Sequence, residues 1–279
     1  MMRFAAVALC LAAPPAFAAD PVVLPGVVST AAAEIRLAIS PDGRRMLWGS
    51  VGRDAAPGQL DIWERHRVGE GWSAPAPAPF NTEGEDFDPA FSPDGRQVYF
   101  HSDRPGGFGG TDIYVVDLDP ATGAFGTPRN LGPSVNSKGA EWAPTPTKDG
   151  RLVFASDGWG GFGRHDLFEV RLAGGEPRNL GPAINGPDED FDAALTPDGR
   201  GMVFSSGVMS DEAAKVGLFV SRLGPKGWSA RTPAGVGCSE FVNGSGFDPA
   251  NPDRFFYAAN CPGGEGRMDI RETRSPIRR

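Results

Sequence analysis

Along this chain, short apolar runs sit between polar turns in a repeating order. Met46-Leu47-Trp48, Val98-Tyr99-Phe100, Leu152-Val153-Phe154, Met202-Val203-Phe204 and Phe255-Phe256-Tyr257 read as strands, and each follows a turn of one type. The turns are Ser40-Pro41-Asp42-Gly43-Arg44, Ser92-Pro93-Asp94-Gly95-Arg96, Thr147-Lys148-Asp149-Gly150-Arg151, Thr196-Pro197-Asp198-Gly199-Arg200 and a degraded Asn251-Pro252-Asp253-Arg254. Their aspartates are 52, 55, 49 and 55 residues apart. In such a turn proline presets φ, aspartate caps locally and glycine accepts a positive φ. A loop follows each strand. Then comes a second strand, opening with Asp61-Ile62-Trp63, Asp112-Ile113-Tyr114, Asp166-Leu167-Phe168, Gly217-Leu218-Phe219 or Asp269-Ile270-Arg271. An outer segment closes most units, as in Gly71-Trp72-Ser73, Pro128-Arg129-Asn130-Leu131-Gly132, Pro177-Arg178-Asn179-Leu180-Gly181 and Gly227-Trp228-Ser229.

With an inner strand ahead of each turn, a unit holds four strands in about 50 residues, the signature of one propeller blade. Five turns therefore predict an all-β chain: a single propeller of five four-stranded blades. The fifth unit ends near Arg274 without an outer strand. Pro21-Val22-Val23-Leu24-Pro25-Gly26 resembles the outer segments and precedes an inner strand, so it is expected to supply the missing strand and close the ring. Closure removes exposed sheet edges. An open array or a six-bladed ring is the competing architecture, but no remaining segment is long enough for a sixth blade.

Composition agrees. Glycine and proline make up 66 of 279 residues, which disfavours a helical bundle. A formal charge of −8 argues against a basic nucleic-acid-binding surface. Residues 1–18 read as a secretory signal: Arg3, the apolar run from Phe4 to Ala13, and the small-x-small pattern Ala16-Phe17-Ala18. The expected organisation is thus a signal peptide over 1–18, the propeller over 19–274 and a basic tail over 275–279, in an exported (periplasmic or secreted) protein without a transmembrane segment. Cys10 falls within the signal. The remaining pair, Cys238 and Cys261, suggests a disulfide in an exported protein, with two free buried thiols as the alternative.

The units Phe87-Asp88-Pro89-Ala90-Phe91-Ser92-Pro93-Asp94-Gly95-Arg96 and Ser102-Asp103-Arg104-Pro105-Gly106-Gly107-Phe108-Gly109-Gly110-Thr111-Asp112-Ile113-Tyr114 resemble the TolB-type, WD-like β-propeller repeat. The resemblance covers nearly all of residues 34–273. It implies a bacterial envelope protein that binds another envelope protein or a peptidoglycan-like glycan. The chain departs from TolB in showing five units where TolB has six blades.

In a propeller the inner strands surround an axial channel, the default place for a ligand. Aligned on the turns, Glu34, Asp86, Glu141 and Asp190 form one column, with Gly246 in the fifth unit. The next column is apolar: Ile35, Phe87, Trp142, Phe191 and Phe247. The one after holds Asp88, Asp192 and Asp248, with Arg36 and Ala143 in the first and third units. Arg104 reads either as a partner of Asp86 or Asp88 or as a solvated loop residue. Glu34, Arg36, Asp86, Asp88, Arg104, Glu141, Trp142, Asp190, Asp192 and Asp248 are therefore the candidate ligand-binding residues of an acidic, aromatic mouth. Such a mouth suits a protein, a glycan or a small cationic ligand. No cofactor is called for, though hard oxygen ligands make Ca²⁺ the one candidate ion. The expected role is a non-catalytic, monomeric binding or scaffold module. The alternative is a glycoside-active hydrolase using the channel carboxylates. The bland reading of the same acids is that they cap turns and pair with arginines.

The glycine-rich loops 105–110 and 158–163 lack the strand-to-helix step and lysine of a phosphate-binding loop; they present Phe108, Trp159 and Phe162 either outward or over the next blade. His66, His101 and His165 fall in three different units, and no nucleophile elbow or zinc motif accompanies them.

Overall fold

The computed structural model describes residues 19–210 and 214–277, and the signal-like segment 1–18 lies outside the described residues. There is no helix among the described residues, and so none long and apolar enough to cross a membrane. Five antiparallel sheets are arranged as the blades of a propeller. Blade 1 holds β1 (Ala33–Ile39), β2 (Arg45–Val51), β3 (Leu60–Val68), β4 (Gly71–Trp72) and β5 (Ala76–Pro77). Blade 2 holds β6 (Asp86–Phe91), β7 (Gln97–Ser102), β8 (Asp112–Asp117) and β9 (Arg129–Asn130). Blade 3 holds β10 (Glu141–Pro146), β11 (Arg151–Ser156), β12 (Asp166–Arg171) and β13 (Arg178–Asn179). Blade 4 holds β14 (Glu189–Leu195), β15 (Gly201–Val208), β16 (Lys215–Gly224), β17 (Gly227–Trp228) and β18 (Thr232–Pro233). Blade 5 is a three-stranded sheet of β19 (Val242–Phe247), β20 (Arg254–Ala259) and β21 (Asp269–Arg274).

The innermost strands β1, β6, β10, β14 and β19 touch in sequence around the axis, and β19 returns to β1. Apolar side chains fill the space between blades in separate clusters rather than one central core; Leu47, Ile62, Val98, Phe100 and Tyr114, for example, join blades 1 and 2. Where facing side chains are large, glycine makes room. A Cβ on Gly49 would lie 2.5 Å from the Phe87 ring, so blade 2 seats its phenylalanine on bare backbone of blade 1.

The N-terminal segment closes the ring as the sequence predicts. Val22 bridges Arg271 in antiparallel fashion, Val23 N–H donates to the Ile270 carbonyl, and Glu272 N–H donates to the Pro21 carbonyl. Two buried groups of blade 5 fix its start: the Tyr257 hydroxyl donates to the Asp20 carboxylate at 2.8 Å and Arg271 Nη1 to the Asp20 carbonyl at 2.7 Å. Cys238 and Cys261 form a disulfide across 23 residues of blade 5 and its approach. At the other end, Ser275 N–H bonds to the Asp253 carbonyl and Ile277 packs beside Gly201, so residues 275–277 lie against the blades rather than fraying.

The predicted turns share one geometry. Ser40, Ser92, Thr147 and Thr196 each donate a hydroxyl to the turn aspartate two residues on, at 2.5–2.6 Å. The following glycine has φ between 66° and 79° in all four.

Deleting residues 21–26 is expected to lower the denaturation midpoint of the chain clearly, since it strips blade 5 of its outer edge; an unchanged midpoint would refute closure. Reduction of the disulfide should cost roughly 3 kcal/mol on the chain-entropy estimate, and thiol titration of unreduced protein lacking residues 1–18 should find no free group.

Candidate functional site

The site is organised by a β-bulge at the midpoint of every inner strand. The ladder skips between Ile35 and Ala38, Phe87 and Ala90, Trp142 and Thr145, Phe191 and Ala194, and Asn243 and Gly246. Within each skip one residue is left-handed: Arg36 (φ 54°), Asp88 (53°), Ala143 (50°), Asp192 (51°) and Gly244 (64°). This five-membered ring is the true register, and it corrects the alignment of the fifth unit. Val242, not Gly246, falls in the Glu34 column. Gly244, not Asp248, falls in the Asp88 column. Asp248 sits at the turn, where it accepts from Ala250 and Asn251 N–H groups and pairs with Arg254. In blade 5 the turn aspartate lies nine residues after the left-handed residue (Gly244 to Asp253), against six in the other four blades (Arg36 to Asp42, for example), so counting back from the aspartate misses the bulge. Glycine is required at 244, because a Cβ there would lie 2.7 Å from the Arg36 nitrogen.

Two residues before the bulge, Glu34, Asp86, Glu141 and Asp190 are completely buried. They lie inside the blades near the face that carries the β2–β3-type loops, here called the loop face. Each accepts from the backbone N–H four residues earlier: Thr30, Thr82, Ser137 and Gly186. Each also stands opposite a serine of the next strand: Ser50, Ser102, Ser156 and Ser206. Arg104 donates to Asp86 at 2.5 Å and Arg231 to Asp190 at 2.6 Å, while Arg53 approaches Glu34 at 4.0 Å. Burial nevertheless pushes the carboxyls of Glu34, Glu141 and Asp190 above their ordinary range. The fifth blade replaces this acid–serine pair with Val242 opposite Ala259. These carboxylates thus tie the connection from the previous blade to its own inner strand.

A second set of aspartates, whose role the sequence left unassigned, ties down the loops. Asp112 accepts from Phe108 N–H and from Asn130, and Asp166 from Phe162 N–H and Asn179. The two glycine-rich loops are therefore held firmly, with Phe108, Trp159 and Phe162 exposed on the loop face. Trp159 also donates its indole N–H to the Val135 carbonyl.

At the axis the charged bulge residues meet. Arg36 Nη2 donates to the Pro144 carbonyl at 3.0 Å and Thr145 Oγ1 at 2.8 Å, and Nη1 approaches Asp192 at 3.5 Å. Asp192 also accepts from Gly244 N–H at 2.9 Å. Asp88 faces His101 Nδ1 at 3.5 Å, and His101 Nε2 meets Glu85 at 2.8 Å. Burial, then repulsion from Asp88, lifts the Asp192 carboxyl to about 7. Burial likewise raises Asp88. Burial works against the charge on His101, but Glu85 and Asp88 raise it above its usual value. Trp142 stacks on His165 with centroids 3.6 Å apart. That histidine is buried, neither ring nitrogen has a hydrogen-bond partner among the described residues, and desolvation pulls its pKa down. No group of three or more metal-ligating side chains with metal-site geometry occurs among the described residues.

The open space is at the other end of the channel. On the face of the Pro-Asp-Gly turns, a funnel of about 350 Å³ is walled by the second halves of the inner strands. A ring of small residues (Ala38, Ala90, Thr145, Ala194, Gly246) leaves it wide, and Ile39, Phe91, Pro146, Leu195 and Phe247 make its upper wall apolar. Of the charged bulge residues, Arg36 borders this funnel, whereas Asp88 and Asp192 lie behind it.

With this geometry in hand, known proteins offer comparison. No protein-family profile matches the sequence, and no curated protein matches it. The structural likeness is to β-propellers. TolB from Acinetobacter baumannii superposes with a TM-score of 0.54 at 15% identity, covering 88% of this chain and 55% of that one. This chain therefore spans a little over half of that TolB. An alpha-L-arabinofuranosidase from Lactobacillus brevis gives a TM-score of 0.56 at 12% identity over 86% of this chain and 90% of the other. An endo-arabinase from Bacteroides thetaiotaomicron gives 0.54 at 16% identity over 93% and 98%. At these identities the likeness establishes the fold alone.

Two measurements check the electrostatics. Because Asp192 holds a proton in the folded state up to about pH 7 and releases it near 3.8 when unfolded, its contribution makes stability fall as pH rises between those values. Asp192→Asn should shrink the wild-type difference in denaturation midpoint between about pH 5 and pH 8; an undiminished difference would clear Asp192 as its source. Asp86→Ala strands Arg104 and the Thr82 N–H, and should cost about 3–5 kcal/mol in urea denaturation.

Proposed function

We propose that this chain is an exported, non-catalytic binding propeller of the bacterial envelope, and that a segment of a partner protein enters the axial funnel on the turn face. The observation that carries this reading is the division of the channel. The column acids Glu34, Asp86, Glu141 and Asp190 have no exposed surface and are bonded to their own chain, while the funnel is open and apolar-walled. Its volume, at the small end of ligand pockets, suits a chain segment rather than a folded element. The disulfide accords with an oxidising compartment, and TolB likenesses at 15–16% identity accord with an envelope role. The candidate residues then separate by role. Glu34, Asp86, Arg104, Glu141 and Asp190 hold the blades, and Arg36 faces the partner.

A hydrolase is the second reading, favoured by two buried carboxyls, Asp88 and Asp192, near the axis and by the arabinan-enzyme propellers among the structural neighbours. The position of both aspartates behind Arg36, away from the open funnel, weighs against it.

Affinity capture from envelope extract tests the choice. Wild type should retain one specific protein, Leu195→Asp should lose it, and Phe108→Ser on the loop face should keep it, with circular dichroism confirming that each variant folds. Loss with Phe108→Ser alone would move the partner to the loop face and overturn the funnel reading. Incubation with arabinan oligosaccharides should release no sugar; release abolished by Asp88→Asn would replace binding with catalysis.

A further inference from the structure

Blade 5 ties down its loop on the loop face differently from blades 2 and 3. In those blades the loop after the second strand begins Ser102-Asp103 and Ser156-Asp157, with the serines opposite Asp86 and Glu141. The serine hydroxyls accept from the Arg104 and Gly158 N–H groups, and the aspartates accept from the Glu85 and Ala140 N–H groups. Blade 5 has Ala259-Asn260 at these places, with Ala259 opposite Val242, and Cys261 follows. Ala259 and Asn260 supply neither a hydroxyl nor a carboxylate. The Cys238–Cys261 disulfide takes over as the tether and joins this loop to residues 234–241, the connection from blade 4.

Cys261 in turn supports the closure of the ring. Its carbonyl accepts from Arg271 Nη2 at 3.2 Å, and Nη1 of the same guanidinium donates to the Asp20 carbonyl at 2.7 Å. Arg271 is buried and the Asp269 carboxylate stands off at 3.9 Å, so the two carbonyls fix where the guanidinium lies. Ala19 packs on the apolar cluster that contains Tyr257 and Cys261. One side chain thus spans from the disulfide loop to the start of the closing segment. The two sulfurs differ in access, since Cys238 is an exposed residue and Cys261 a buried one.

We propose that the Cys238–Cys261 disulfide is a redox switch on ring closure: its reduction frees residues 19–24 from β21 while the five sheets stay folded. The reductant is a dithiol. One of its thiolates attacks the exposed Cys238 sulfur, the S–S bond breaks, and the Cys261 sulfur leaves and takes up a proton. The second thiol then displaces Cys238 from the mixed disulfide, so the protein gains two thiols and the reductant becomes a disulfide. Residues 260–263 lose the tether that presents the Cys261 carbonyl, and Arg271 loses one of its two carbonyl partners. The closing segment is left with Tyr257 and its short ladder, and β21 gains an unpaired edge when that segment lifts. Reoxidation reverses each step.

Amide exchange of the folded chain, oxidised and after dithiothreitol, tests the switch. The Val23 and Glu272 N–H groups, which bond across the closure, report on it; those of Leu131 and Leu180, bonded to Ile113 and Leu167 in blades 2 and 3, serve as references. Reduction should speed exchange at Val23 and Glu272 about tenfold, independently of low urea, as a local opening does. Leu131 and Leu180 should not share that rise, and reoxidation should reverse it. The double variant Cys238→Ser/Cys261→Ser should exchange as reduced protein does, with or without dithiothreitol. Arg271→Gln should free Val23 with the disulfide intact and leave reduction little to add; a full tenfold response in that variant would overturn the coupling through Arg271. If Arg271→Gln fails to fold, the oxidised and reduced wild type decide alone. Unchanged exchange at Val23 on reduction, or a rise at all four amides in step with urea, would overturn the switch and leave the disulfide a general brace.

Discussion

The left-handed residue at the midpoint of each inner strand is the constraint from which the rest of the molecule follows. It breaks the ladder, bends the strand and divides it into two halves with different surroundings. The first half lies between blades and holds buried carboxylates; the second splays to form the funnel wall. Four of the five bulge residues are not glycine, and such a conformation costs on the order of 1 kcal/mol or more each. They persist because the surrounding sheet over-determines them, and because Arg36 and Asp192 are bonded across the axis to residues of other blades. The strain thus accompanies a function in assembly: side chains that would otherwise lie in the sheet meet at the centre of the ring.

Carboxylates do three separate jobs here, and their surroundings decide which. Those at the turns accept from a hydroxyl two residues away and remain exposed. Those two residues before the bulge are wholly buried and fasten one blade to the next. Those at the bulge, Asp88 and Asp192, crowd the axis, where burial pushes both toward neutrality and Asp88 adds repulsion on Asp192. Net charge says nothing of this partition, since all three kinds count equally.

The same architecture serves TolB and arabinan-acting enzymes, so the fold does not select among activities. What separates them must lie in the side chains at the axis. Here the open end of the axis is apolar with the Arg36 guanidinium at its base, and the acids are drawn away from it. In the reading proposed above, this distribution serves recognition rather than bond cleavage.

The repeated turn, the strand after it and the substitution of Pro21–Gly26 for a missing outer strand were legible in the sequence, because hydrogen-bonded turns and ladder edges are local patterns that recur with the chain. The acid column was legible as a column in four blades, but whether Arg104 pairs with Asp86, with Asp88 or with solvent was decided by the fold. Its burial was not, because burial depends on the neighbouring blade. The register of blade 5 misled, since Asp248 mimics the bulge aspartates in sequence while Gly244 takes their place in space, where β19 passes too close to Arg36 for any side chain. The funnel was invisible for the same reason: Ile39, Phe91, Pro146, Leu195 and Phe247 are ordinary strand residues until five blades close around one axis. Local chemistry wrote the repeat; only ring closure decided which side chains would face each other across its centre.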